Sequence, residues 1–502
     1  MSARTRPAIA AGVAAILCLV LVVPASAEAG VERFRLRSAP FTLADFNVKF
    51  PKLAIPAPRR DGYLTDMDVR LVDERGQRVT IRDVMLHHVL FKNNSRRGLT
   101  RGGCPQSNGE SFYGTGEERQ TLDLPEGYGY RVGRTDRWRM NVMLMSHTAR
   151  VRKVYVEYFG TIVTGRALRG VRPFWLSAHG CSANPSYGVY GGGGRGAVHN
   201  RKRTWRLPIG GRIVAAGGHL HGGALNMTVR QPRCRRKLFD HRPLYGAPGH
   251  IYYRARPLLH EPGPINTRWF ASPTGIRINA RERLEVIGTY DNSAPHSRVM
   301  AITHVYVHPR AGAERGCSPI PRDARQTRRV KHGRTTPPFT PVPLNRVDRR
   351  GRVSEIDELP GPFQTFGMVG QSSMRAFRFT PSNVRIPAGG SIRWTYGDAE
   401  PHNVTFADGP RLISAPTLSR GRTYIRRFDV PGRYKLFCYL HPVTMHQIVD
   451  VTPTGDPGQP APDPSQTPPA DAPPGTPMPP PEGPPPAEAP PEGEDPAAPS
   501  AI

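Results

Sequence analysis

The chain has 502 residues, 70 Lys and Arg against 40 Asp and Glu, a formal charge of +30, and 55 Pro with 52 Gly. That length exceeds the about 100–200 residues usual for one domain, and Pro and Gly punctuate it too often for a helical protein, so several β-rich domains are expected. Arg is scattered through every segment rather than gathered on one element, so the charge does not describe a nucleic-acid-binding face; attraction to an anionic cell envelope accounts for it.

Arg4 and Arg6 precede an apolar run at 8–23, and Ala25-Ser26-Ala27 sets small residues before a cleavage point after Ala27. This order reads as a secretory signal peptide over residues 1–27. The run is shorter than the roughly 20 residues that span a bilayer, and the mature protein is expected outside the cytoplasm, secreted or in the cell envelope. Cys18 leaves with the signal, and five cysteines remain in an oxidising compartment. An odd count leaves one thiol for another task, and Cys438 is that candidate. The other four allow three connectivities; pairing within a segment makes Cys104–Cys181 and Cys234–Cys317 the expected disulfides.

Residues 28–185 read as a first β-sandwich. Runs at 63–72 and 78–91 flank the turn Asp73-Glu74-Arg75-Gly76 and predict a hairpin, with further strands near 137–145 and 151–162. The glycine cluster 191–194 lacks the Gly-Lys-Ser/Thr ending of a phosphate loop and reads as a connection. A second β-rich block, 186–317, carries strands near 212–216, 225–230, 283–290 and 299–307. Residues 318–360 are basic, Pro-containing and without periodicity, a linker. Residues 361–452 form a third folded segment. The tail 453–502 has Pro, Ala, Gly and acids with no Lys or Arg, and is expected to be disordered.

The third segment holds a metal constellation. Pro401-His402-Asn403-Val404 is followed by Phe437-Cys438-Tyr439-Leu440-His441-Pro442-Val443-Thr444-Met445. Two imidazoles, one thiolate and a weak axial thioether are what a type 1 copper ion takes, so His402, Cys438, His441 and Met445 are its expected ligands. A Pro431-Gly432 turn launches the strand ending at Cys438. The segment closely resembles the plastocyanin/azurin family of cupredoxins, which implies a Greek-key β-sandwich and one-electron transfer.

Two histidine pairs stand upstream. His87-His88 lies in a strand, where neighbours face opposite ways, so both reach one metal only if the backbone twists. His219 and His221, at i and i+2, share a face and chelate naturally. Leu124-Pro125-Glu126-Gly127 through Arg131-Val132-Gly133, then Met145-Ser146-His147, resembles copper type II ascorbate-dependent monooxygenases, the peptidylglycine and dopamine β-monooxygenase family. The resemblance implies two jelly-roll-like sandwiches, an electron-transfer copper on His87, His88 and His147, and an oxygen-activating copper on His219, His221 and Met300. His296 and His304 are alternative ligands. Where the family's peptide-amidating member holds a substrate carboxylate, this chain has Gly217 and His304, so peptidylglycine is not the expected substrate.

The expected fold is therefore all-β: two jelly-roll-like sandwiches, a cupredoxin sandwich and a Pro-rich tail. The expected cofactor is copper, one type 1 ion and up to two more. The expected function is an exported copper-dependent redox protein, a monooxygenase-like dicopper module with a fused electron-transfer domain. It would use a small-molecule or protein electron donor, dioxygen and a small organic substrate, with no nucleic acid. A non-catalytic copper carrier or electron relay is the alternative.

Overall fold

A computed structural model describes residues 30–98, 109–180, 184–310, 317–338 and 341–454. The signal peptide, Cys104, Cys181 and all but the first two residues of the tail lie outside the described residues. Everything described falls within one compact unit, Met1–Gln459.

The architecture is almost wholly β. One long sheet runs through both upstream segments in the order Gly30–Arg37, Arg152–Thr164, Gly62–Val72, Tyr128–Val132, Arg169–Ser177, Ala301–Pro309, Gly211–Leu220, Trp269–Ile278 and Arg325–Thr327. The seam between the segments is the antiparallel pairing of Arg169–Ser177 with Ala301–Pro309, which sets Trp175 opposite His304. Two smaller sheets cover it, one built on Val84–Asn93 and Trp138–Ser146, the other on Arg283–Asp291 and Ala224–Gln231. Alternation along these strands explains the layering: Arg283–Asp291 buries every second residue, as a strand with one core face must. The first core includes Trp138, Tyr158 and Phe91, but also Val214, Trp269 and Tyr306 from the second segment. The sandwiches thus share a sheet and part of a core.

The expected hairpin across Asp73–Gly76 does not form. The turn itself closes, with Asp73 N–H donating to the Gln77 carbonyl and Val79 N–H to that of Leu71. The chain then crosses over, so Gly62–Val72 and Val84–Asn93 lie in facing sheets. Both strands carry a buried apolar face, and placing them across the core buries both.

The segment expected as a linker is partly structured. Arg325–Thr327 extends the long sheet, and Leu344–Val347 pairs with Val353–Ile356. Val342 and Leu344 pack against Ala407 and Phe437 of the third segment, which is why so polar a stretch is held. The third segment is a sandwich of six and four strands around Trp394, Phe428 and Tyr434. Cys234 and Cys317 are joined by a disulfide. No helix among the described residues is long and apolar enough to cross a membrane.

Candidate metal centres

At one end of the third sandwich, the strand His402–Asp408 brings in His402, and the loop between Gly432–Phe437 and His446–Thr452 brings in Cys438, His441 and Met445. A backbone knot fixes that loop: Cys438 N–H donates to the Met445 carbonyl, and His441 and Met445 N–H close turns on Cys438 and His441. His402, Cys438 and His441 offer ligand atoms all within 4.8 Å of one another, and Cys438 Sγ lies 3.6 Å from His441 Nδ1. His402 Nε2 is bonded to Asp398 at 2.8 Å, while its Nδ1 is buried without a partner. A carboxylate on one ring nitrogen orients the other as a ligand. Burial pushes the Cys438 thiol pKa up, against backbone N–H groups of Asn403, Leu440 and His441 directed at the sulfur. Met445 is fully buried in the same core. This donor set fits a type 1 copper ion.

His87 and His88 occupy an irregular strand. In the pairing of Val84–Asn93 with Trp138–Ser146, His88 opposes Met143 and Leu86 opposes Leu144, so His87 has no partner of its own. That extra residue is a β-bulge, and it turns both rings to the same side. Their Nδ1 atoms are 3.1 Å apart.

His219 and His221 share a face as expected, with Nε2 atoms 3.1 Å apart. Glu118, fully buried, takes His219 Nδ1 at 3.1 Å, which leaves Nε2 as the donor atom. Close approach is permitted by Gly116, where a Cβ would sit 2.6 Å from the His219 ring. Gly116→Ala should therefore weaken metal binding at His219 by about 10–100-fold, as loss of an orienting contact does, without altering the type 1 site. A metal titration with unchanged affinity would refute that role for Gly116.

The two pairs, distant in sequence, meet. The His87 ring lies 5.1 Å from that of His221, and the His88 ring 6.1 Å from that of His219. All four line one cavity of about 720 Å³, together with Met300 and His304. Burial and the neighbouring imidazoles hold the pKa values of His87 and His221 well below the usual range, and that of His88 at about 3. For His219 burial acts the same way, but Glu118 outweighs it and raises the pKa. The other three rings are thus neutral lone-pair donors at neutral pH.

Two residues that sequence reasoning missed join this group. His260 stacks edge-on to His87 at 4.8 Å, and Glu117 Oε1 lies 2.7 Å from His260 Nε2 and 3.5 Å from His87 Nε2. Glu117 directly follows the strand Glu110–Gly116 and His260 sits in an aperiodic loop, so neither carries a spacing signal. His147 is buried with Nδ1 on the Pro257 carbonyl at 2.9 Å and Nε2 without a partner, and it belongs to neither three-ligand group among the described residues. His296 is bonded to Glu261, and His304 is buried beside Trp175.

The third sandwich closes the cavity. Tyr439, next to Cys438, stands against Phe50 at 5.7 Å and beneath the guanidinium of Arg298, 3.9 Å above its ring. Met85, Met143, Met145 and Leu259 receive Tyr439 and Val443. Arg298 Nε donates to Thr405 Oγ1 at 3.1 Å, and no carboxylate pairs with Arg298 among the described residues. Its φ of +55° is a left-handed value rare for a residue with a side chain. The Arg298 backbone lies beside the His221 ring and counters part of the fall in its pKa.

A model of copper-binding proteins of the plastocyanin/azurin family matches residues 366–452. Plastocyanin of Scenedesmus fuscus is 35% identical over 75 residues, 13% of this chain and 76% of its own length. Amicyanin-alpha of Methylorubrum extorquens is 37% identical over 75 residues, 14% of this chain and 63% of its own. The N-terminal region is similar to "Probable copper-dependent oxygenase M1" of Phoma sp., 26% identical over 199 residues, 36% of this chain and 47% of that protein. The chain thus spans less than two thirds of the length of the amicyanin and the oxygenase. With fold, ligand loop and family match coinciding, the chain belongs, through residues 366–452, to the plastocyanin/azurin family of copper-binding proteins.

Proposed function

We propose that this chain is an exported copper-dependent oxygenase of the monooxygenase class whose cupredoxin sandwich feeds electrons to the histidine-lined cavity. The observation that carries this reading is the contact path from Cys438 through Tyr439 and Arg298 to His221. Cys438 and Tyr439 are bonded neighbours, Arg298 lies on the Tyr439 ring, and the Arg298 backbone lies beside the His221 ring. Electron tunnelling weakens steeply across empty gaps, so bonded and closely packed atoms make a better route than open space. A partly buried guanidinium without a carboxylate is costly, and its placement between the two centres gives that cost a purpose.

Copper on His219, His221 and Met300 would supply one-electron chemistry with dioxygen, since two imidazoles and a thioether favour Cu(I) and leave a position open. The chain's own residues do the rest. Glu118 keeps the proton on His219 Nδ1, and Trp175, Ile302, Phe406 and Tyr439 give the cavity apolar walls that exclude water and suit a small organic substrate. Insertion of one oxygen atom into a C–H bond, with the other leaving as water, consumes two electrons and two protons. An external one-electron donor, a reductant of the ascorbate class or a protein, re-reduces the type 1 site after each transfer.

Rapid mixing tests the path. When the fully reduced protein meets dioxygen, the blue band should return as electrons leave the type 1 site. Tyr439→Leu should slow that return at least about tenfold, some 1.4 kcal/mol in barrier, at unchanged copper content and unchanged final absorbance. Arg298→Lys should slow it too, because an ammonium lacks the planar stacking surface. Rates equal to wild type in both variants would remove the path. A blue band that does not respond to dioxygen at all would favour a copper carrier or relay.

A further inference from the structure

We propose that His87, Glu117 and His260 hold a divalent first-row metal ion of their own, through two imidazole nitrogens and one carboxylate oxygen. The site does not depend on the oxygenase reading, and its ligand set differs from the three imidazoles His87, His88 and His147 that the monooxygenase resemblance implies.

Three separated stretches of chain converge to make it. His87 comes from the bulge in Val84–Asn93, Glu117 follows the strand Glu110–Gly116, and His260 lies in the loop after the short helix Ile251–Arg254. Their ligand atoms all lie within 4.8 Å of one another. Glu117 Oε1 faces both His260 Nε2 and His87 Nε2, while Oε2 is occupied by the Gly263 N–H at 2.8 Å. The carboxylate is therefore held with one oxygen turned to the two rings.

The charge balance asks for a cation. Glu117 is 4% exposed, and no Lys or Arg lies within ion-pair distance of it among the described residues. A carboxylate taken out of water needs a compensating positive charge, and two imidazoles with one amide supply hydrogen bonds but no fixed charge. A divalent ion between Oε1 and the two Nε2 atoms supplies it. The donor set, two His and one carboxylate with positions left over, suits iron(II), manganese(II), zinc(II) or copper(II) better than a soft Cu(I) ion.

Proton positions are consistent with this assignment. If His87 gives its Nε2 lone pair to the ion, its Nδ1 carries the hydrogen and donates it to His88 Nδ1, 3.1 Å away. The adjacent histidines then share a proton rather than an ion, and His88 orients His87 from behind, as partners of metal-bound imidazoles do. His147 has Nδ1 on the Pro257 carbonyl and a buried Nε2 without a partner, but it lies outside the group whose ligand atoms are within 4.8 Å of one another.

Metal counting on the purified full chain decides it. The protein is loaded with excess copper(II), and in parallel with zinc(II), then freed of unbound ion and assayed. Glu117→Gln and His260→Ala should each lose one equivalent relative to wild type, and His147→Ala should lose none. Glu117→Gln keeps the side-chain shape, so it remains informative if His260→Ala fails to fold; the type 1 blue band and the thermal midpoint report folding in every variant. On copper-loaded protein, Glu117→Gln should also change the paramagnetic resonance of one non-blue copper. Wild-type counts in both Glu117→Gln and His260→Ala overturn the site, as does loss of an equivalent in His147→Ala alone. Loss at Glu117 and His260 in a protein that consumes no oxygen leaves this site standing and sinks only the oxygenase reading.

Discussion

Replacing Cys438 with Ser should abolish the intense visible band of the oxidised, copper-loaded protein while both upstream sandwiches stay folded. The band is a charge transfer from a thiolate to copper(II), and Cys438 is the free cysteine among the described residues, buried between His402 and His441. A hydroxyl at that position cannot act as a soft ligand at neutral pH. It is not left bare, because the N–H groups directed at the sulfur can bond the oxygen instead. The stability cost should stay within the about 1–3 kcal/mol of an imperfectly satisfied buried hydroxyl. Upstream metal content should not change, since no described ligand of the cavity comes from the third sandwich. Absorption spectroscopy and metal analysis of wild type and variant check this. A wild-type protein, loaded and oxidised, with no visible band would refute the type 1 assignment.

Met300→Ala should reduce reductant-driven oxygen uptake by more than about tenfold, or 1.4 kcal/mol, with the blue band intact. Met300 lies between the strands His296–Val299 and Ala301–Pro309 and lines the cavity beside His219 and His221. Its carbonyl is fixed by the Tyr290 hydroxyl, which holds the backbone and leaves the thioether to the cavity. If the side chain only packs, the variant loses stability, less than the about 2–5 kcal/mol of a fully buried Met because Met300 is half-buried, and copper content stays the same. X-ray absorption on the Cu(I) protein separates the two: a ligand role removes a sulfur scatterer from the upstream site. An unchanged sulfur signal together with unchanged uptake would strike Met300 from the ligand set.

The cluster of His402, Cys438 and His441 was legible because its residues obey local rules. Cys438, His441 and Met445 share one loop, and only His402 comes from a second strand, so spacing and order carry nearly all the geometry. Strands with strict alternation, such as Arg283–Asp291, were legible for the same reason. The hairpin expected at 63–91 was not, because a tight turn with flanking strands looks alike whether the chain folds back in one sheet or crosses to the next. The choice depends on which faces are buried, and that is a property of the packed core. His87 and His88 illustrate the limit at one residue: strict alternation sends the rings apart, and a bulge created by pairing with Trp138–Ser146 brings them together.

By itself the amino-acid sequence determined the all-β class and the copper-binding cupredoxin segment, and it singled out the candidate ligands there and the two histidine pairs upstream. Each of these rests on periodicity or on spacing within a few residues. Only the tertiary structure decided that the upstream segments share one sheet, that both histidine pairs line a single cavity, and that Tyr439 touches Arg298 at its edge. It also decided that Glu117 meets His260, 143 residues away in the chain. Such contacts leave no periodic trace, because a loop residue is positioned by the packing of the sandwiches on either side of it and not by its neighbours in sequence.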